Sequence, residues 1–159
     1  MPAGSLDELV AQFDEAIEKV DGLILKHTEQ GANAAIALVD VRLVETGKNA
    51  QGSSFEDYTP SYKKRKQKLG RDVGHVNFQL STQMLASITT AFEKGDLQKQ
   101  VNGGRAKVSF VARDETTRKK IEGNNKTRPG FLNPSAGEMK TVTRIANAGL
   151  SEDLATIFQ

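Results

Sequence analysis

The stretch FEDYTPSYKKRKQKLGRDVGHVNFQLSTQMLASI, residues 55–88, decides how the rest of this chain is read. Its first half joins two tyrosines and a proline to six cationic residues that fall within positions 63–71. Pro60 holds φ at a value suited to the first turn of a helix. The sequence therefore predicts a turn or a short basic helix that ends at Gly70.

The second half of the stretch becomes apolar. Residues 75–80, HVNFQL, alternate apolar and polar side chains as a short strand does. Ser81 or Thr82 can then cap a helix, because a hydroxyl at that position accepts a hydrogen bond from the first turn. This helix is predicted to cover about residues 81–93, with an inner face formed by Met84, Leu85, Ile88 and Phe92.

Upstream of the stretch, apolar residues recur every three or four positions, which predicts an amphipathic helix over about residues 5–27. Ser5 and Glu8 stand at the spacing of a capping box at its start. The apolar stripe consists of Leu6, Leu9, Val10, Phe13, Ile17, Val20 and Ile24. Because Gly31 can interrupt the helix before a second apolar pattern that stops at Gly47, two helices or one long kinked helix fit equally well.

Downstream of the stretch, residues 97–112 carry the pattern of a β-hairpin. Two alternating runs flank Gly103 and Gly104, and glycine suits the positive φ angles of a tight hairpin turn. One face of the hairpin is expected to be exposed to solvent, as in a sheet that is buried on one side only. The face expected to be buried holds Leu97, Val101, Ala106, Val108 and Phe110.

Two further helices are predicted from their caps. Asp114 can cap a short charged helix that Gly123 closes. Ser135 and Glu138 repeat the capping-box spacing at the start of a C-terminal helix. The inner face of that last helix is expected to hold Met139, Val142, Ile145 and Ala146.

Together these patterns predict an α+β fold in a single domain that spans residues 1–159. A long N-terminal helix or helix pair and a central helix would pack on a small antiparallel sheet, the hairpin 97–112, and a C-terminal helix would follow. Long polar loops are expected to project over about residues 47–75 and 123–134.

Composition argues against several classes of function. The chain has 22 Lys and Arg against 20 Asp and Glu, and this balance does not suit a dedicated binder of nucleic acid or of a membrane surface. Cysteine is absent, which excludes disulfides, thiolate zinc sites and cysteine nucleophiles. Since no apolar run is long enough to span a membrane and no signal-peptide pattern occurs, we expect a soluble protein made in the cytoplasm.

No catalytic grouping stands out in the sequence. It contains neither a nucleophile elbow nor a phosphate-binding loop. His27 and His75 are far apart and lack a second ligand at metal-binding spacing, so each is expected to face solvent or lie in a loop. We therefore expect no enzymatic activity, no cofactor and no metal site.

The cationic residues of the stretch are the one feature that favours a polyanion partner. Six cations in nine residues, with tyrosines nearby for stacking, suit phosphate contacts. A solvated loop, or a patch that pairs with an acidic neighbouring subunit, explains them as well. The candidate subunit-interface or polyanion-binding residues are Phe55, Tyr58, Tyr62, Lys63, Lys64, Arg65, Lys66, Lys68, Arg71, Arg128 and Phe131. For Arg128 and Phe131, insertion into a partner and a simple loop anchor fit equally well.

The order of the motifs is itself informative. A glycine-containing loop leads to Phe55, and Tyr58-Thr59-Pro60-Ser61-Tyr62 and the lysines come next. The short apolar run from Val76 to Leu80 leads into STQMLASI at residues 81–88, and RPGFL stands at residues 128–132 before the last helix. This order resembles the virion morphogenesis and tail-completion proteins of tailed bacteriophages. In that family a Pro-x-Tyr and lysine segment precedes an L-x-x-T-G-x-M/L-x-x-S-I helix, and an Arg-Pro-Phe segment precedes the last helix. The resemblance covers roughly residues 35–158.

The resemblance implies a structural protein of the virion, made in the host cytoplasm. It would be a tail-completion, neck or tail-terminator subunit that forms a ring at the head-to-tail junction and carries no cofactor. Its implied partners are identical subunits and the neighbouring connector or portal-side and tail-tube proteins, with no membrane. Contact with DNA in the lumen of the ring stays open, and so does the alternative of a nucleic-acid-binding module that uses residues 63–71.

Overall fold

The computed structural model describes residues 6–78, 83–93, 97–102, 104–112 and 114–157. In these residues five helices and a two-stranded antiparallel sheet form the predicted α+β fold. The elements are α1 (Leu6–Thr46), α2 (Pro60–Lys68), α3 (Gln83–Glu93), β1 (Gln98–Asn102), β2 (Arg105–Ser109), α4 (Glu115–Thr127) and α5 (Ala136–Ile157). The predictions for Ser5, Leu80, Ser81, Thr82 and Gly103, and for the side chains of Leu6, Glu8, Leu9 and Phe92, lie outside the described part.

Helix α1 is one continuous helix of 41 residues, about 60 Å long at 1.5 Å per residue. Gly31 does not interrupt it, because α5 packs closely over that position. A Cβ atom added to Gly31 would lie 3.4 Å from Val142 Cγ1 and 3.5 Å from Ala146 Cβ. Gly31 therefore allows α1 and α5 to approach closely, and it does not divide α1 into two helices.

Helix α5 begins at the predicted capping box. The backbone N–H of Ser135 donates to Glu138 Oε2 at 2.5 Å, and the N–H of Glu138 donates to Ser135 Oγ at 3.2 Å. The predicted inner face is wrong at Met139 and Ile145, which are exposed, while Val142 is buried. The face that meets α1 instead carries Val142 and small residues, since only small side chains allow the close approach.

The hairpin is confirmed, with strands β1 and β2 paired so that Val101 lies opposite Ala106 and Lys99 opposite Val108. Its turn includes Gly104 at φ +73°, and the N–H of Gly104 donates to Asp21 Oδ1 on α1 at 3.2 Å. Leu97, Val101, Ala106, Val108 and Phe110 are half-buried, as predicted. The sheet therefore packs along the middle of α1.

Helix α4 begins at the predicted cap, where Asp114 Oδ1 accepts the N–H of Thr117 at 2.7 Å. Its predicted end at Gly123 is wrong, because the helix continues to Thr127. A glycine in a helix interior costs only about 1 kcal/mol relative to alanine, which neighbouring helical hydrogen bonds can offset. The predicted loop 123–134 thus becomes a short set of turns that starts at Arg128.

The core is built largely from the second half of the stretch 55–88. Five of its eight buried members come from residues 76–88, and α1 and the turn after α4 supply the rest. The core cluster consists of Val39, Leu43, Val76, Phe78, Met84, Leu85, Ile88 and Phe131. Residues 76–78 do not form the predicted strand, since Phe78 has φ +58°, in the left-handed region.

Candidate functional site

Residues 47–78 leave the C-terminal end of helix α1 and return to that end, so both ends of this segment are attached there. Gly47 turns the chain with φ +60°. A Cβ atom added there would lie 2.7 Å from His75 Cδ2, which requires glycine. His75 Nε2 lies 2.7 Å from the carbonyl oxygen of Val44 near the end of α1. The prediction that residues 47–75 project as a loop is therefore wrong where the returning chain packs on the core, as Phe55, Tyr58 and Lys66 do.

Lys66 points inward from helix α2 and is fully buried. Its Nζ atom donates to Asn77 Oδ1 at 2.6 Å and lies 4.6 Å from the centroid of the Tyr58 ring. Burial lowers the pKa of Lys66, because removal from water disfavours the charged ammonium. The amide oxygen and the aromatic face stabilise that ammonium, and the charge of the Asp72 carboxylate opposes part of the lowering of its pKa.

Tyr58 lies between Lys66 and the turn that follows α4. Its hydroxyl accepts the backbone N–H of Phe78 at 3.0 Å, and burial raises its pKa. The guanidinium carbon of Arg128 lies 5.6 Å from the Tyr58 ring centroid, and Nη2 of Arg128 donates to the carbonyl of Glu56 at 3.0 Å. Arg128 thereby connects the segment before α2 to the segment after α4.

Phe131, a candidate interface residue, is buried in the core. Its ring stacks on Phe78 with centroids 4.9 Å apart, and Phe55 meets the edge of Phe78 at 5.3 Å. Such aromatic pairs add stabilisation beyond the area that they bury. We call the set of Phe55, Tyr58, Lys66, Phe78, Arg128 and Phe131 the aromatic junction.

The remaining cations of the stretch point away from the aromatic junction. Lys63 forms an ion pair with Asp57, and this hydrogen bond lowers the pKa of the Asp57 carboxyl. The other four cations are exposed, and in the part of the chain that the structure describes none of them has a carboxylate within ion-pair distance. We call these four residues the outer basic face: Lys64, Arg65, Lys68 and Arg71. The predicted patch of six cations is thus wrong at Lys66, which is buried.

An open cleft of about 460 Å³ lies between the aromatic junction and helix α4. Tyr58, Tyr62 and Arg128 line one side of it, and Lys119 and Asn124 line the other. Burial raises the pKa of Tyr62, so both tyrosines stay neutral donors at neutral pH. Among the described residues, no group of three or more His, Asp and Glu side chains is placed to hold a metal ion.

His27 corrects the prediction that the histidines are solvent-facing or in loops. It is buried between α1 and α5, where Nε2 lies 2.9 Å from Asp153 Oδ2 and Nδ1 lies 2.9 Å from Gln30 Oε1. The hydrogen bonds from Lys26 and His27 lower the pKa of Asp153. This arrangement ties the two long helices together.

Sequence reasoning missed Asn77 and Phe78 as parts of the site. In the predicted strand Asn77 would face solvent, yet it is buried and accepts the hydrogen bond from Lys66. No local signal marks Phe78 for a positive φ, because this conformation depends on rings more than 20 residues away along the chain.

None of the described helices combines the length and the apolar character needed to cross a membrane. No family model, no curated protein and no solved structure matches the chain.

Proposed function

We propose that this chain is a structural subunit of a tailed-bacteriophage particle. It would act as a tail-completion, neck or tail-terminator protein that joins a ring at the head-to-tail junction, without catalysis. Its partners would be identical subunits and the adjoining connector or portal-side and tail-tube proteins. The proposal starts from the order of sequence motifs and is supported by how the fold uses them.

The observation that carries the proposal is the contact between the two stretches on which the resemblance rests. Arg128, from RPGFL, lies over the ring of Tyr58, which stands two residues before the PSY motif. Phe131, from the same late motif, stacks on Phe78, just before STQMLASI. Both residues of the late motif thus contact earlier residues on which the resemblance rests. Their meeting at the aromatic junction supports a shared structural role.

The surface offers a second kind of support. Several large apolar side chains are exposed, and three of them follow one another on the first turns of α1: Val10, Phe13 and Ile17. Single exposed apolar residues are ordinary, but a contiguous stripe indicates an interaction surface. A subunit that assembles with copies of itself needs such surfaces.

The direct test is the location of the chain in particles made by the genome that encodes it. We expect mass spectrometry of gradient-purified particles to detect the chain, and gold labelling of a tagged copy to mark the head-to-tail junction. Deletion of the coding sequence should leave full heads and separate tails. Complete, infectious particles that lack the chain would contradict the proposal.

The outer basic face favours one alternative, a module that binds nucleic acid. Four exposed cations on one short segment can contact phosphates, although Tyr58 and Tyr62 are half-buried and less free to stack on bases. Replacing Lys64, Arg65, Lys68 and Arg71 with alanine should then abolish salt-sensitive DNA binding. The variant Lys140→Ala/Arg144→Ala, on an exposed face of α5, is the control. No DNA binding by the native chain at low salt would exclude this alternative.

A further inference from the structure

The first described turns of α1 reach beyond the rest of the fold. We call residues 10–18 the arm. The turn of the hairpin meets α1 at Asp21, through the N–H of Gly104, and β1 meets α1 further along, where Lys99 pairs with Glu29 at 2.8 Å. The end of α5 lies beside Lys19 and Leu23. Within the arm, Val10, Phe13 and Ile17 are 51%, 61% and 59% exposed. No described element therefore covers the apolar stripe of the arm.

The arm is also acidic, and this determines what can cover it. Asp14, Glu15 and Glu18 are exposed within it, and the next residue, Lys19, pairs with Glu15 at 2.7 Å. At 100° per residue, Asp14 and Glu18 lie along one edge of the stripe. Two arms packed against each other would bring like charges together, which is unfavourable. A partner with exposed cations and an apolar contact is favoured instead.

The chain carries a surface of that description at the opposite end of α1. Because Lys66 points inward, α2 presents Lys64, Arg65 and Lys68 outward, and Leu69 beside them is 56% exposed. Lys64 and Lys68 lie one helical turn apart, as Asp14 and Glu18 do. The two surfaces thus match in charge and in spacing.

The two surfaces of one molecule cannot meet. Segment 47–78 is attached at Val44 and Gly47, near the end of α1, and the arm lies at its start. The separation of Glu18 and Val44 along a straight helix is about 40 Å. The contact must therefore form between different copies, from one end to the other. A heterologous contact of this kind closes into a ring when its rotation permits.

We propose that the arm of one copy docks on the outer basic face of the next copy, with Asp14 and Glu18 against Lys64 and Lys68 and the apolar stripe over Leu69. This inference rests on the proposed function, since it names the contact that would build the ring. Each subunit would then supply its arm to one neighbour and its outer basic face to another.

The test uses two charge-reversed variants of the full chain and sedimentation velocity at low salt. Variant one carries Asp14→Lys and Glu18→Lys, and variant two carries Lys64→Glu and Lys68→Glu. The native chain should self-associate, and added salt should weaken the association because the charges are exposed. Each variant alone should associate about tenfold or more weakly. An equimolar mixture should assemble again. The basic arm of variant one can dock on the acidic surface of variant two, and the acidic arm of variant two can dock on the basic surface of variant one.

The control is Lys140→Glu/Arg144→Glu, which makes the same change in charge on α5 and should assemble like the native chain. Circular dichroism would confirm that each variant is folded. A mixture that stays dissociated, a native chain that is monomeric at every concentration, or native-like assembly of variant two would overturn the inference. Loss of assembly only with Phe13→Ser/Ile17→Ser, and not with variant two, would point to paired arms and would also overturn it.

The two proposals fail separately. If particles contain the chain at the junction but variant two is incorporated normally, only the docking contact is wrong. If the mixed variants assemble as expected but purified particles lack the chain, only the phage function is wrong.

Discussion

A lysine with no exposed surface must be stabilised by the groups around it, and Lys66 is such a residue. We predict that Lys66→Ala lowers the free energy of unfolding by about 3 kcal/mol, because it leaves a cavity and removes the donor to Asn77 Oδ1. Lys64→Ala, on the exposed side of the same helix, should change it by less than about 0.5 kcal/mol. Urea denaturation of the two variants measures both values. Equal effects at the two positions would contradict the buried placement of Lys66.

The charge of Lys66 can be separated from its volume with Lys66→Met. Burial lowers the pKa of Lys66 below its usual value of 10.5. Between the lowered pKa and 10.5 the unfolded chain binds more protons, so stability from this group rises as the pH rises through that interval. The native chain should therefore gain stability relative to Lys66→Met as the pH is raised from 7 toward 10. A difference between the two proteins that is independent of pH would show that the ammonium is not desolvated.

At the scale of elements, the contact of α1 with α5 depends on glycines at the crossing. A Cβ atom added to Gly149 would lie 2.6 Å from His27 Cε1. We predict that Gly149→Ala destabilises the fold by about 1–3 kcal/mol, as overpacking of a tight contact does. Gly22→Ala, with no atom within 4 Å of its added Cβ, should stabilise α1 by up to about 1 kcal/mol. Thermal unfolding distinguishes these opposite signs, and stabilisation by both substitutions would contradict the close packing.

The same elements explain which predictions succeed. The caps at Asp114 and Ser135 and the hairpin at 97–112 depend on groups a few residues apart, so the sequence contains all the information that they need. The orientation of α5 depends on the distant small residues of α1, and the pattern therefore placed Met139 and Ile145 on the wrong face.

For the whole molecule, the sequence identified most of the residues of the candidate site but not their arrangement. Phe55, Tyr58, Arg128 and Phe131 were all candidates, and the fold brings them together around Phe78. The sequence pattern could not show that Lys66 is buried, because the direction of its side chain depends on contacts with Tyr58 and Asn77 that form only in the folded chain. The single-domain prediction remains a prediction.

The shape of the molecule leads to a last prediction, about local stability along α1. An isolated helix shorter than about 12 residues is marginal in water, because few hydrogen bonds offset its nucleation. In a dilute, dissociated chain the amides of the arm, residues 10–18, should exchange with deuterium quickly, while those of residues 27–43, packed against α5 and the core, should exchange slowly. At concentrations where copies associate, docking of the arm should slow its exchange, and charge reversal at Lys64 and Lys68 should remove that protection. Equal protection of both segments in the dilute chain would mean that the arm is stable without a partner, and exchange that is unchanged on association would mean that another surface joins the copies.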